Sequence, residues 1–188
     1  MIIDNKEKIL KDVLREWIEK SDEILICSPF ISYNDVLFEL IEHKVKMMLI
    51  CRLSFPASPE LFTKLNNSIN KNQSIYVYDD SSLHSKIYYF KKNGKGLVAI
   101  IGSSNFTDSG IYSNKEYNIT TTKEFDRIEK YFKHLIKESY GNLSKEVIEY
   151  YKTFYQRPIL KKRYKKAKIS TKLTDQYSEA LEKYFTVK

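Results

Sequence analysis

The apolar side chains of Ile9, Leu10, Val13, Leu14, Trp17 and Ile18 recur at three- and four-residue spacing with charges between them. This predicts an amphipathic helix within Asp4 to Glu19, packed on the body of the protein. The pattern then changes to short apolar runs. EILICS, from Glu23, predicts a buried strand, and SPFIS ends it, with Ser32 placed to cap a second helix through NDVLFELIEH. VKMMLIC, from Val45, is the next strand, and Ser58 followed by Pro59 opens a helix through Leu65, since proline is tolerated in a first turn. QSIYVYD, from Gln73, reads as a further strand. Helix and strand alternate throughout, which predicts an α/β fold with a mixed central β-sheet flanked by helices.

From Leu83 to Asn118 the same alternation carries chemistry. His84, Lys86 and Tyr88 alternate with Ser85, Ile87 and Tyr89, so on a strand the imidazole and the ammonium share a face. Asn93 and Gly94 stand between two apolar segments and predict a reversal, after which LVAIIG is a β-branched strand buried on both faces. That strand ends at Gly102 in SSNFTDSG. Its hydroxyls at Ser103 and Ser104, its backbone amides and Asn105 are groups suited to a phosphate oxygen. Glu116 precedes a third strand-like stretch and has the chemistry to hold a histidine nitrogen in one tautomer. Each feature alone has an ordinary explanation. A strand histidine is commonly a satisfied polar residue, SSNFTDSG is also a turn cluster with a helix cap, and a lone glutamate is a solvated charge.

In this order and combination, however, His84, Lys86, Gly102, Ser103, Asn105 and Glu116 resemble the signature of the phospholipase D superfamily: His, any residue, Lys, then a glycine–serine strand end, an asparagine and a glutamate. The resemblance spans roughly Asp22 to Ile136. One position departs from it, because the common form has an aspartate five residues after the lysine and this chain has Lys91 there, with no acid between Lys86 and Asp108. That departure resembles the nuclease branch that includes metal-independent restriction endonucleases. The resemblance implies a metal-independent phosphodiesterase without cofactor, in which His84, Lys86, Asn105 and Glu116 are catalytic and Ser103 and Ser104 bind phosphate. Its mechanism passes through a phosphohistidine and needs two histidines. His43 and His134 are each followed two residues later by Val45 and Ile136, so neither repeats the motif. The expectation is a homodimer that brings two copies of His84 into one composite site. A phospholipid hydrolase or transferase of the same superfamily, or an inactive dimeric nucleic-acid-binding module, are the alternatives.

Downstream, Phe125, Ile128, Tyr131, Phe132, Leu135 and Ile136 predict a helix that stops at Gly141, and residues from Asn142 to Phe154 predict another. The organisation expected is a catalytic domain over 1–143 and a helical, basic C-terminal extension over 144–188. Charge singles out the extension. Residues 1–150 hold 21 Lys+Arg and 21 Asp+Glu, whereas 151–172 hold 9 Lys+Arg and no acid, and 173–188 hold 2 bases and 3 acids, so the net +8 comes from one segment. Lys161, Lys162, Arg163, Lys165 and Lys166, interleaved with tyrosines, are therefore expected to bind DNA or RNA. The length of 188 residues leaves no room for a separate recognition domain, which implies weak specificity or a separate specificity partner. Cys27 and Cys51 sit in apolar runs and read most simply as buried free thiols, with a disulfide between them as the alternative. No apolar run approaches a membrane span and MIIDNKEKIL does not resemble a signal peptide, so no membrane association and a cytoplasmic location are expected.

Overall fold

The structure, a computed structural model, describes residues 1–43, 45–78 and 81–155. The basic run from Lys161 to Lys166 lies outside the described residues.

The predicted strands pair into one 8-stranded sheet in the order β1-β7-β6-β5-β2-β3-β4-β8. Its centre is β2 (Glu23–Cys27), β3 (Lys46–Arg52) and β4 (Gln73–Tyr78), mutually parallel and joined through α2 (Asp35–Glu42) and α3 (Pro59–Ser68). Next to β2, and antiparallel to it, lies β5 (Ile87–Lys92), followed by β6 (Lys95–Gly102) and β7 (Asn118–Thr121), again antiparallel. Two short strands that the apolar pattern does not announce close the edges, β1 (Ile2–Ile3) on β7 and β8 (Gly141–Asn142) on β4. The mixed sheet with flanking helices is the predicted architecture.

Period-two alternation divides the core between the two faces of the sheet. On β5, Tyr88 and Phe90 join the layer beneath α1 (Leu10–Lys20), α2, α3 and α6 (Lys145–Phe154), while Tyr89 joins the layer beneath α5 (Phe125–Glu138). All three rings are buried, which is why IYYF reads as a continuous apolar run. The Tyr151 and Phe62 rings pack nearly perpendicular with centroids 5.6 Å apart, and the Tyr151 hydroxyl donates to the Ala57 carbonyl at 2.8 Å, so α6 belongs to the body.

The boundaries differ from expectation for local hydrogen-bonding reasons. The first helix begins at Leu10 because Asp4 accepts from the backbone N–H groups of Lys6, Glu7 and Lys8 and Asn5 accepts from that of Leu10, drawing them out of a helical ladder. Asn34 caps α2, accepting from the Leu37 N–H at 3.0 Å, and Ser32 does not. Ser58 caps α3 as predicted. The reversal at Asn93 and Gly94 has φ of 50° and 73°, as a tight hairpin requires. Helix α5 ends at Glu138 rather than at Gly141, which has moved into an edge strand. Among the described residues no helix is long and apolar enough to cross a membrane.

Candidate active site

Strand registers bring the motif together. Ile87 faces Ile101 across β5 and β6, the Gly102 N–H donates to the Lys86 carbonyl at 3.3 Å, and Gly102 faces Asn118 across β6 and β7. The segments before β5, after β6 and before β7 therefore share one end of the sheet, where β2 also ends because Cys27 faces Ile87. Any residue other than glycine at 102 would place its Cβ 2.4 Å from the Tyr117 carbonyl oxygen and from Asn118 Oδ1. The glycine lets the two segments cross.

His84 and Lys86 lie just before β5, outside the ladder, yet their side chains meet as the alternation predicts. Lys86 Nζ donates to the His84 carbonyl at 2.7 Å and lies 3.1 Å from His84 Nδ1. The imidazole is exposed, whereas Lys86 is 7% exposed. Burial pulls the Lys86 pKa below the ordinary lysine value, while Cys27 and Glu116 act in the other direction. Beneath it, burial pushes the Cys27 thiol up to about 12, and its Sγ lies 3.5 Å from the Ser85 carbonyl oxygen as a buried free thiol.

Ser103 and Glu116 form the second half of the site. The Ser103 hydroxyl donates to Glu116 and accepts from the Tyr117 N–H at 2.9 Å, and Asn114 Nδ2 donates to Glu116 at 3.3 Å. The expected contact of Glu116 with His84 is not among these bonds; the partner at Nδ1 within the chain is Lys86. Ser104 also departs from expectation. It is fully buried, its hydroxyl accepts from Asn118 Nδ2 at 2.9 Å, and its carbonyl accepts from the Tyr88 hydroxyl at 2.9 Å, so it anchors the loop and is not presented to a phosphate. Asn105 follows it with Oδ1 buried and, among the described residues, without a hydrogen-bond partner.

Three supporting residues were not singled out from the sequence. Asn118 ties the loop to β1 through the Ile3 carbonyl, Ser28 accepts from the Phe106 N–H at 2.8 Å, and Tyr131 on α5 shares a hydrogen bond with Ser85. The signal at Ser28 was weak: a serine directly after a buried strand, in SPF.

Lys91 stands apart. It lies at the far end of β5, roughly 16 Å from Lys86 at a strand's rise per residue. Its ammonium bridges Glu129 at 2.7 Å and Glu23 at 3.5 Å, and Glu129 accepts from the Tyr89 hydroxyl at 3.2 Å. Lys91 is a charge anchor between β2, β5 and α5, remote from the chemistry. Among the described residues no group of three or more His, Cys, Asp or Glu is arranged to hold a metal ion.

An exposed imidazole held by a buried ammonium, beside a glycine–serine strand end on a mixed sheet, defines a phosphodiester hydrolase of the phospholipase D type. Residues 7–149 match the family described as NgoFVII restriction endonuclease N-terminal PLD domain, and the chain belongs to it. NucT from Helicobacter pylori superimposes with a TM-score of 0.60 at 12% identity, over 75% of this chain and 97% of that one. Nuc from Salmonella typhimurium, a phospholipase D family member, gives 0.58 at 15% identity over 75% and 97%. A phosphatidylserine synthase from Haemophilus influenzae gives 0.55 at 12% identity over 82% of this chain and 44% of that one. At these identities the likeness is one of fold. No curated protein sequence matches the chain.

Proposed function

We propose that this protein is a DNA endonuclease that works without a metal, through a phosphohistidine formed on His84 in a site completed by a second copy of the chain. The observation that carries the reading is the Lys86 to His84 pair, a buried cation fixing an exposed nitrogen base. One His84 attacks phosphorus, the P–O bond to the leaving strand breaks, and the second His84 gives its proton to that oxygen. Water then attacks the phosphohistidine, releasing the 5′ or 3′ phosphate and the free imidazole. Lys86 and Asn105 of both copies neutralise and position the non-bridging oxygens. Ser103 and Glu116 hold the loop that carries Asn105.

DNA is favoured over phospholipid on two grounds. The family is named for a restriction endonuclease, and the basic run from Lys161 to Lys166 suits a polyanion. The fold leaves the choice open, being shared with a phosphatidylserine synthase. The single motif per chain and the exposure of His84 favour assembly of two copies.

The test is nicking of supercoiled plasmid in excess EDTA by the parent and by His84→Ala, with both proteins sized on a column. Cleavage that persists in EDTA and is lost in the variant, by proteins of dimer mass, is the expected result. Cleavage that needs added metal, or that survives in His84→Ala, overturns the reading.

A further inference from the structure

Beside the candidate site lies a groove of about 550 Å³ whose lining includes Phe30, Phe55, Asn105, Asp108 and Ser109. Phe30 follows β2 and Phe55 follows β3, so both rings stand at the sheet end that carries His84. Phe55 is 56% exposed, a large ring kept in water. The guanidinium of Arg52 lies over the Phe30 ring, 5.4 Å from its centroid, and its buried Nε has no hydrogen-bond partner among the described residues.

We propose that this groove is the subsite for a nucleobase next to the scissile phosphate, entered by a base that has left its stack. The inference rests on the nuclease reading and names its substrate form. Every phosphodiester carries two organic arms, and the arm reaching the groove must be attached to the phosphate that Asn105 contacts. Asn105 belongs to both places. The aromatic side chains in the lining suit the face of a flat base, and the volume is of the size that takes a small ligand. The buried Asn105 Oδ1 has no hydrogen-bond partner among the described residues, which leaves it an acceptor for a bound donor. A base inside a duplex has both faces stacked and its edge paired, so the base that reaches the groove is one splayed or flipped out of its stack.

The test compares hydrolysis of thymidine 5′-(p-nitrophenyl phosphate) with that of methyl p-nitrophenyl phosphate, two diesters that share a leaving group. The ratio of their kcat/KM values is measured for the parent, Phe55→Ala, Phe55→Trp and Tyr140→Ala, the last an exposed ring outside the groove. Calorimetry of thymidine 5′-monophosphate and of methyl phosphate on the same proteins reads the subsite without turnover. The expected result is a ratio lowered about tenfold or more in Phe55→Ala, the scale of one base–aromatic stack. It is retained in Phe55→Trp and Tyr140→Ala, and the nucleotide binds the parent more tightly than methyl phosphate by a margin that Phe55→Ala loses. An unchanged ratio in Phe55→Ala overturns the proposal. So does an unchanged ratio with a loss of dimer mass, which would make the groove a contact between copies. If the parent hydrolyses neither diester, the nuclease reading fails and calorimetry decides: equal affinity for the two phosphates overturns the subsite, and a nucleotide preference lost in Phe55→Ala upholds it.

Discussion

Lys86 donates to the carbonyl oxygen of His84 at 2.7 Å and faces its Nδ1 at 3.1 Å, so two residues of one extended segment bind each other. An ammonium has three N–H groups and no lone pair; with two engaged, one remains for a phosphate oxygen. When Nδ1 accepts from that ammonium, the proton of a neutral ring sits on Nε2, the state of a proton donor. A nucleophilic Nε2 requires the other tautomer. Two copies of His84 in different tautomers would divide the two roles between them.

Burial lowers the Lys86 pKa, so its charge is lost at a lower pH than that of an ordinary lysine at 10.5. The expected outcome is an alkaline limb in kcat/KM with a midpoint below 10.5, absent in Lys86→Arg, whose guanidinium stays charged. The unfolded chain holds this proton more tightly, so the same shift makes stability rise with pH through that range. A limb unmoved in Lys86→Arg would assign it to another group.

Ser103→Ala removes both the donor to Glu116 and the acceptor of the Tyr117 N–H. We expect turnover of a small diester to fall about tenfold, with a loss of about 1 kcal/mol in urea unfolding. Full activity with an intact fold would release Ser103 from any positioning role.

Lys91→Met leaves Glu23 and Glu129 without their shared cation and should cost about 1–3 kcal/mol of stability while barely changing turnover. Lys91→Asp, which restores the residue common in the superfamily, puts a third carboxylate in the cluster and should destabilise more than the methionine without raising activity. Hydrogen bonding to Lys91 holds the Glu129 pKa below the ordinary 4.5. Its contribution is therefore present above that value and lost as pH falls through the lowered one, a pH dependence that Lys91→Met should lack.

Cys27 and Cys51 are buried free thiols whose pKa values burial raises. Ellman's reagent should label neither in the native protein at neutral pH and both in denaturant. Rapid native labelling of Cys27 would mean that the floor beneath Lys86 opens.

Alanine at Lys161, Lys162, Arg163, Lys165 and Lys166 should weaken DNA binding and flatten its dependence on salt, far more than it lowers turnover of a small diester. Equal losses in both assays would make the run part of the catalytic fold.

Much of the fold was legible because apolar periodicity survives in local sequence. The strands of the parallel centre, the Asn93–Gly94 reversal and helix α5 each follow from residue type and spacing over fewer than twenty residues. The edge strands β1 and β8 carry two residues each, too short for a period, and their pairing comes from partners more than sixty residues away. The cap of α2 was misplaced because Ser32 and Asn34 are both competent acceptors, and packing chose the buried asparagine.

The candidate residues His84, Lys86, Asn105 and Glu116 are picked out by sequence order and spacing alone, because a motif is a pattern of residue types along the chain. Their partners were a matter of tertiary structure. Sequence cannot say that Glu116 turns to Ser103 rather than to His84, that Ser104 is buried as an anchor for Asn118, or that Lys91 stands at the far end of β5 between two glutamates. A hydrogen bond depends on position to within a few tenths of an ångström, and only the pairing of distant strands sets positions that finely.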